Sequence, residues 1–459
     1  MAIKTYKDVL KNEKIKKVLE EETILFISVL KWIAFATFIG IIVGFSTSLF
    51  LKTLAFIVRL TTSYHHYFFL LPLVLLISSL LTKLCPGSEG HGTEKVIEAI
   101  HKYSGKINPL VIPVKFLATI VTIAGGGSVG KEGPAAQIGA GFSSLFADIF
   151  KFDERDRKKL VICGISAGFA SIFGTPIAGA LFGVEVLYVG GILYDVLLPS
   201  FIAGMVSYHV ALSLGINYFH RTLKIIPVFN ESFIIKVIIA GIFFGICARL
   251  LIEIMNQLKN LDNTFYLPKP LKAILGGFFL VFLTFLFSNQ YLGLGVETIQ
   301  KVLQGKDIVW YAFLLKIIFT CLTLNFGGSG GIVTPIFFIG ATSGALFARI
   351  FETDPSTFSA IGLVALLAGA GNTPISASIM AVELFGPKIA AYASIACVIS
   401  FIMTGHASVY PSQVLAMKKS ATIEVETGKE VEKTHPRLKL RRKSLTYLLV
   451  KIIKKIKLK

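Results

Sequence analysis

Residues 126–147 read GGSVGKEGPAAQIGAGFSSLFA, and residues 327–348 read GGSGGIVTPIFFIGATSGALFA. In each stretch a glycine stands four positions before a proline (Gly130 and Pro134, Gly331 and Pro335), and an Ile-Gly pair follows (Ile138-Gly139, Ile339-Gly340). Further along, GTPIAGALFGVEVL at 174–187 matches NTPISASIMAVELF at 372–385. Both have a Thr-Pro start and a glutamate nine residues after the proline (Pro176 and Glu185, Pro374 and Glu383). Two matches in the same order, at offsets of 201 and 198, mark a chain built from two related halves. Apolar segments broken by Gly and Pro at corresponding places in two halves are the sequence pointer to an inverted-repeat transporter.

The composition agrees. Of 459 residues 54% are hydrophobic and 16% are charged, against about 25% charged in a soluble chain. A disordered chain and a short disulfide-stapled domain are excluded. The expected organisation is a charged segment at 1–22 without a cleavable signal, a membrane domain at 23–417 (repeats at roughly 23–215 and 216–417), and a basic tail at 418–459. Many apolar segments are shorter than the ~20 residues of a full crossing. Of the net charge of +19, the tail carries +10, from fourteen Lys and Arg against four acidic residues. Such a tail fits a cytoplasmic end, with no nucleic-acid partner required. Its last stretch, 444–459, spaces Leu445, Leu448, Leu449, Ile452, Ile453 and Ile456 as an amphipathic helix with lysines between them, suited to a membrane surface. The five cysteines lie in apolar runs as small buried side chains, and neither a metal site nor a cofactor is expected.

Proline favours the first helical position, so helices are expected to start at Pro134, with Gly133 near the cap, at Pro335 after Thr334, at Pro176 after Thr175 and at Pro374 after Thr373. A helix start offers unpaired N–H groups and about half a positive charge. Several starts aimed at one point make an anion site that still lets the ion leave. Glu132 beside one of them is costly in an apolar setting. It is either a carboxylate that takes the anion's place and gates it, or a cap favoured by the helix dipole. Glu185 and Glu383, equivalent in the two halves, read as structural carboxylates paired with backbone or hydroxyl groups.

These residues resemble the CLC family of chloride channels and chloride/proton antiporters. Gly130-Lys131-Glu132-Gly133-Pro134 looks like its G(K/R)EGP motif, and Gly331-Ile332-Val333-Thr334-Pro335 looks like its GxFxP motif. Tyr410, in GHASVYPSQVLA, resembles its ion-coordinating tyrosine. The match covers about 25–417. The resemblance implies an all-α integral membrane protein: an inverted-repeat bundle of tilted and broken helices, one pore per subunit, working as a homodimer in the cell membrane with both termini cytoplasmic. It gives Glu132 the gate, the backbone N–H groups of Ile332 and Val333 the central anion, and the Tyr410 hydroxyl the same anion from the inner side. The family's GSGIP motif falls on Gly90-His91-Gly92-Thr93-Glu94, with His91 in place of the anion-touching serine and no helix-starting proline. The His91 side chain donates to the anion, or turns away and leaves only backbone there. Val186 occupies the position of the antiporters' second, proton-accepting glutamate.

The function expected from these features is passive or uncoupled conduction of chloride or a similar small anion through the bilayer, gated by Glu132. Chloride/proton antiport is the alternative. An unrelated metabolite or cation transporter would show acidic rings in its pore, which these motifs lack. An enzyme would show a nucleophile–base or metal-ligand pattern, and no catalytic residue is expected.

Overall fold

The computed structural model describes residues 13–218, 231–264 and 267–439. The first repeat comprises α1 (Glu13–Thr62), α2 (Leu71–Leu84), α3 (Gly92–Lys102), α4 (Val111–Ala124), α5 (Glu132–Ile149), α6 (Glu154–Phe173), α7 (Pro176–Glu185) and α8 (Leu197–Ser213). The second comprises α9 (Glu231–Thr264), α10 (Lys269–Leu286), α11 (Val296–Leu303), α12 (Ala312–Asn325), α13 (Val333–Ile350), α14 (Pro355–Gly371), α15 (Pro374–Phe385) and α16 (Ala390–Met403). Every helix of one repeat has its counterpart in the other. The packing repeats too: α5 lies on α6 as α13 lies on α14, and α1 on α8 as α9 on α16.

Hydrogen bonds between the repeats come in reciprocal pairs. Gly130 N–H donates to the Gly331 carbonyl and Gly331 N–H to the Gly130 carbonyl, both at 2.6 Å. Ser128 N–H donates to the Thr323 hydroxyl and Ser329 N–H to that of Thr122, both at 3.1 Å. An approximate two-fold axis therefore passes between the two glycine-rich loops quoted at the outset.

Close helix packing is what this sequence spends its glycines on. A Cβ on Gly139 of α5 would lie 2.5 Å from the Gly164 carbonyl oxygen of α6, and a Cβ on Gly164 the same distance from that of Gly139. Gly340 and Gly362 repeat the crossing between α13 and α14. Between membrane helices lipid offers no hydrophobic advantage, so this close contact is the cohesive force. The helices α5, α6, α13 and α14 form the interior, and all of α14 from Thr357 to Gly371 is buried. Outside them, α10 turns Phe278, Phe279, Phe282 and Phe285 outward, a face suited to lipid.

Among the described residues, six helical segments are long and apolar enough to cross a membrane. Others, such as α7 (10 residues) and α15 (12 residues), are too short to do so alone and end inside the protein. At 50 residues α1 is roughly 75 Å long, well beyond one crossing. The chain thus has no break at residue 22: the helix runs unbroken from Glu13, because its charged first turns continue directly into the apolar stretch. Nor is the segment after 417 wholly a detached tail. Strand β1 (Tyr188–Val189) pairs in parallel with β2 (Val414–Leu415), and β3 (Ile423–Glu424) pairs antiparallel with β4 (Arg437–Leu438). The Lys419 ammonium donates to Asn372 Oδ1 and to the Phe401 carbonyl, both at 2.6 Å, pinning this segment to the ends of α14 and α16. The amphipathic stretch at 444–459 lies outside the described residues.

Candidate functional site

Three helix starts meet at the two-fold axis. The loop before α3 joins the loop before α13 through a hydrogen bond from Gly330 N–H to the Gly90 carbonyl (3.4 Å), beside the paired Gly130 and Gly331. Gly133 sits at their centre, where an added Cβ would touch Gly331, Gly92 and Thr93. The helices begin slightly earlier than the prolines suggest. α5 starts at Glu132, capped by Lys131 rather than Gly133, and α13 starts at Val333, capped by Ile332. Pro134 and Pro335 fall in the first turn, where a missing N–H costs no intrahelical bond.

Glu132 is buried, and its carboxylate leaves its own helix for the other repeat. Oε2 accepts from the Thr334 backbone N–H (3.1 Å), and Oε1 accepts from the Thr334 hydroxyl at short range. The carboxylate thus caps α13 from across the axis, on the positive end of the helix dipole and on a donor that an anion would otherwise use. Thr334, expected as a cap for its own helix, instead gives its hydroxyl hydrogen bond to Glu132. Ile332 and Val333 are buried at the same start.

Beside this start lie buried polar atoms: His91 Nδ1 and Glu94 Oε2 have no partner among the described residues, and the Tyr410 and Thr93 hydroxyls face at most each other. Tyr410 is fully buried, and its ring centroid stands 5.7 Å from that of His91. Unsatisfied buried groups are rare and costly, so several together mark a place where something else binds. A cavity of about 390 Å³ reaches His91 and Glu94 from the side that carries the C-terminal segment. Its walls mix Lys95, Lys102, Lys259, Lys269 and Lys272 with Glu89, Glu98 and Glu432.

The loop that presents His91 is held by a buried lysine. Lys115 of α4 donates to the carbonyls of Ser88 (3.1 Å) and Gly90 (2.6 Å). Its counterpart 201 positions on, Lys316 of α12, donates to those of Tyr291 (3.0 Å) and Gly293 (2.9 Å). That shared offset, inside two apolar runs, is the signal by which sequence alone could have found both. Tyr410 is fixed by Gln413, whose N–H donates to the Tyr410 carbonyl (3.1 Å). The Gln413 side-chain amide donates to the carbonyls of Val186 (2.7 Å) and Gly371 (2.9 Å). Val186 itself is buried and brings no titratable atom.

Glu185 and Glu383 stand away from this cluster, where α7 meets α15. The Glu383 carboxylate accepts from Ile177 N–H (3.0 Å) and Ala178 N–H (2.8 Å) at the start of α7. Glu185 accepts from Ile375 N–H (3.0 Å) and Ser376 N–H (2.8 Å) at the start of α15. Each carboxylate caps the helix that bears the other. This replaces the expected caps: the hydroxyls of Thr175 and Thr373 make no hydrogen bond among the described residues. The five cysteines are buried and unpaired, and no cluster of metal-ligating side chains occurs among the described residues.

Comparison with known proteins agrees with this architecture. A family model described as voltage gated chloride channel matches residues 73–405. A chloride/fluoride channel protein from Pseudomonas syringae pv. tomato is 35% identical over 398 residues, covering 85% of this chain and 87% of that one. A voltage-gated ClC-type chloride channel from Escherichia coli is 28% identical over 329 residues, covering 68% and 77%. Among solved structures, a CLC-type fluoride/proton antiporter superposes with a TM-score of 0.81 at 26% identity, over 85% of this chain and 99% of that chain. A slow cyanobacterial chloride/proton antiporter gives 0.71 at 17% identity, over 81% and 94%, a likeness of fold alone. With a family match over most of its length, in a two-repeat helical membrane fold, this chain belongs to the CLC family of voltage-gated chloride channels, membrane proteins that transport anions.

Proposed function

We propose that this protein exchanges a small halide, fluoride or chloride, for protons, through one pathway in each subunit of a homodimer, with Glu132 as the gate. The observation that carries the reading is the Glu132 carboxylate on the Thr334 N–H and hydroxyl. A carboxylate held there competes with an entering anion for the same donors. Once protonated it loses most of its attraction to the helix start and leaves it to the halide. One group thereby couples proton uptake to anion entry. The buried Tyr410 hydroxyl, Thr93 hydroxyl and His91 ring nitrogen supply donors that suit a small, strongly hydrated halide. The relatives described as a chloride/fluoride channel protein and a fluoride/proton antiporter support this choice of ions.

Val186 favours a second reading, uncoupled conduction, because that position holds no proton acceptor. The basic C-terminal segment supports an orientation with both termini in the cytoplasm. The test is efflux of fluoride and of chloride from proteoliposomes, with external pH recorded alongside. Uphill proton movement driven by a halide gradient supports exchange; halide flux without proton movement supports the second reading; no flux of either ion rejects both.

A further inference from the structure

If halide moves against protons here, the protons must reach Glu132 from the side of the C-terminal segment without help from residue 186. One side chain is placed for that. Glu94 stands in the first turn of α3, just past the His91 cap, on a helix outside the apolar spans. Its Oε1 accepts from the backbone N–H of Ser412 (3.0 Å) and from the Ser412 hydroxyl. Its Oε2 is buried without a partner, and the residue lines the cavity that opens on the side of the C-terminal segment.

A carboxylate fixed on one oxygen and unsatisfied on the other resists staying ionised and takes up a proton more readily than an exposed one. The charged groups around it are the pairs Lys95 with Glu98 (3.0 Å) on its own helix, Lys259 with Glu432 (3.1 Å) and Lys269 with Glu89 (2.5 Å) across the cavity, together with Lys102 and Lys272; the lysines favour the ionised carboxyl, and burial opposes them. From α4, Lys115 is occupied by the loop carbonyls. On the far side, Ser412, which holds Glu94, stands two residues from Tyr410, whose ring centroid lies 5.7 Å from that of His91, and the start of α3 at Gly92 and Thr93 abuts Gly133, next to Glu132.

We infer that Glu94 is the proton carrier on this side. Its carboxyl takes a proton from cavity water and gives it up toward Glu132 past Tyr410. One O–H bond breaks at Glu94 as one forms at Glu132, and nothing is oxidised or reduced. This rests on the exchange reading above.

The experiment measures halide and proton fluxes together in proteoliposomes of the unaltered protein, Glu94→Gln and Ser412→Ala. Glu94→Gln keeps the shape and the acceptor for Ser412 but cannot titrate. It is expected to retain halide flux while protons moved per halide fall about a hundredfold, the low end of what one positioned proton-transfer group contributes. Ser412→Ala removes a donor to the charged form and is expected to move the pH of half-maximal proton transport upward. An unchanged proton-to-halide ratio in Glu94→Gln overturns the assignment, as does an unmoved pH profile in Ser412→Ala should Glu94→Gln fail to fold. Halide flux without protons in the unaltered protein instead rejects exchange itself, and the assignment with it.

Discussion

Glu132 in the first repeat and Thr334 in the second are joined across the two-fold axis: the carboxylate accepts both the backbone N–H and the hydroxyl of the threonine. On the function proposed above, this bond between halves is what closes the gate, and it brings an acid to a helix start it does not belong to.

Removing half of that bond should loosen the gate. Thr334→Val keeps the backbone donor and the side-chain volume but loses the hydroxyl. A hydrogen bond to a charged group contributes about 1.5–3 kcal/mol, so the halide flux at neutral pH is expected to rise by about tenfold or more. Efflux from proteoliposomes measures it; a flux equal to that of the unaltered protein would show that the hydroxyl does not hold the gate.

The two buried lysines separate support of the site from support of the fold. Lys115→Met frees the loop that carries His91, whereas Lys316→Met frees the equivalent loop before α11, which does not line the cavity. Both should lower the melting temperature in detergent: Lys316→Met leaves two buried carbonyls unsatisfied at about 1–3 kcal/mol each, and Lys115→Met leaves Ser88 and Gly90 with only the longer bonds from the Ser329 hydroxyl and Gly330 N–H. Only Lys115→Met should weaken halide binding measured by titration calorimetry. Equal loss of binding in both variants would contradict this division.

The reciprocal caps at Glu185 and Glu383 should behave as a matched pair. Glu185→Gln and Glu383→Gln each turn two charge-assisted hydrogen bonds into weaker ones at a helix start. Similar drops in melting temperature are expected for the two, with the proton-to-halide ratio unchanged. A variant that alters the ratio would give its glutamate a part in transport.

Gln413 should matter more than its place after the last helix suggests. Gln413→Ala leaves the Val186 and Gly371 carbonyls unpaired and frees the turn that carries Tyr410. Reduced halide affinity together with reduced thermal stability is expected. Unchanged halide affinity would show that Tyr410 keeps its place without this tie.

The duplication was legible because backbone demands fix Gly and Pro in ways that local sequence displays. The pattern in 126–147 and 327–348 therefore located the axis and two of the three converging starts. The third, α3, carries no proline and only a narrow apolar stripe, so composition alone does not reveal the helix. Bonds between residues some 200 positions apart, such as Glu132 with Thr334 or Glu185 with Ser376, depend on how the repeats are docked, which no local pattern encodes. In the sequence Glu94 shows only as the absence of a proline, because its significance lies in the cavity it faces and in the Ser412 that holds it.

The most direct test of the gate is the pH dependence of halide flux in proteoliposomes containing Glu132→Gln. A neutral amide cannot compete as an anion for the start of α13, and it cannot carry a proton. The variant is expected to pass halide at a rate independent of pH, with no accompanying proton movement. A flux that still follows pH as in the unaltered protein, or protons still moving uphill against halide, would contradict the role given to Glu132.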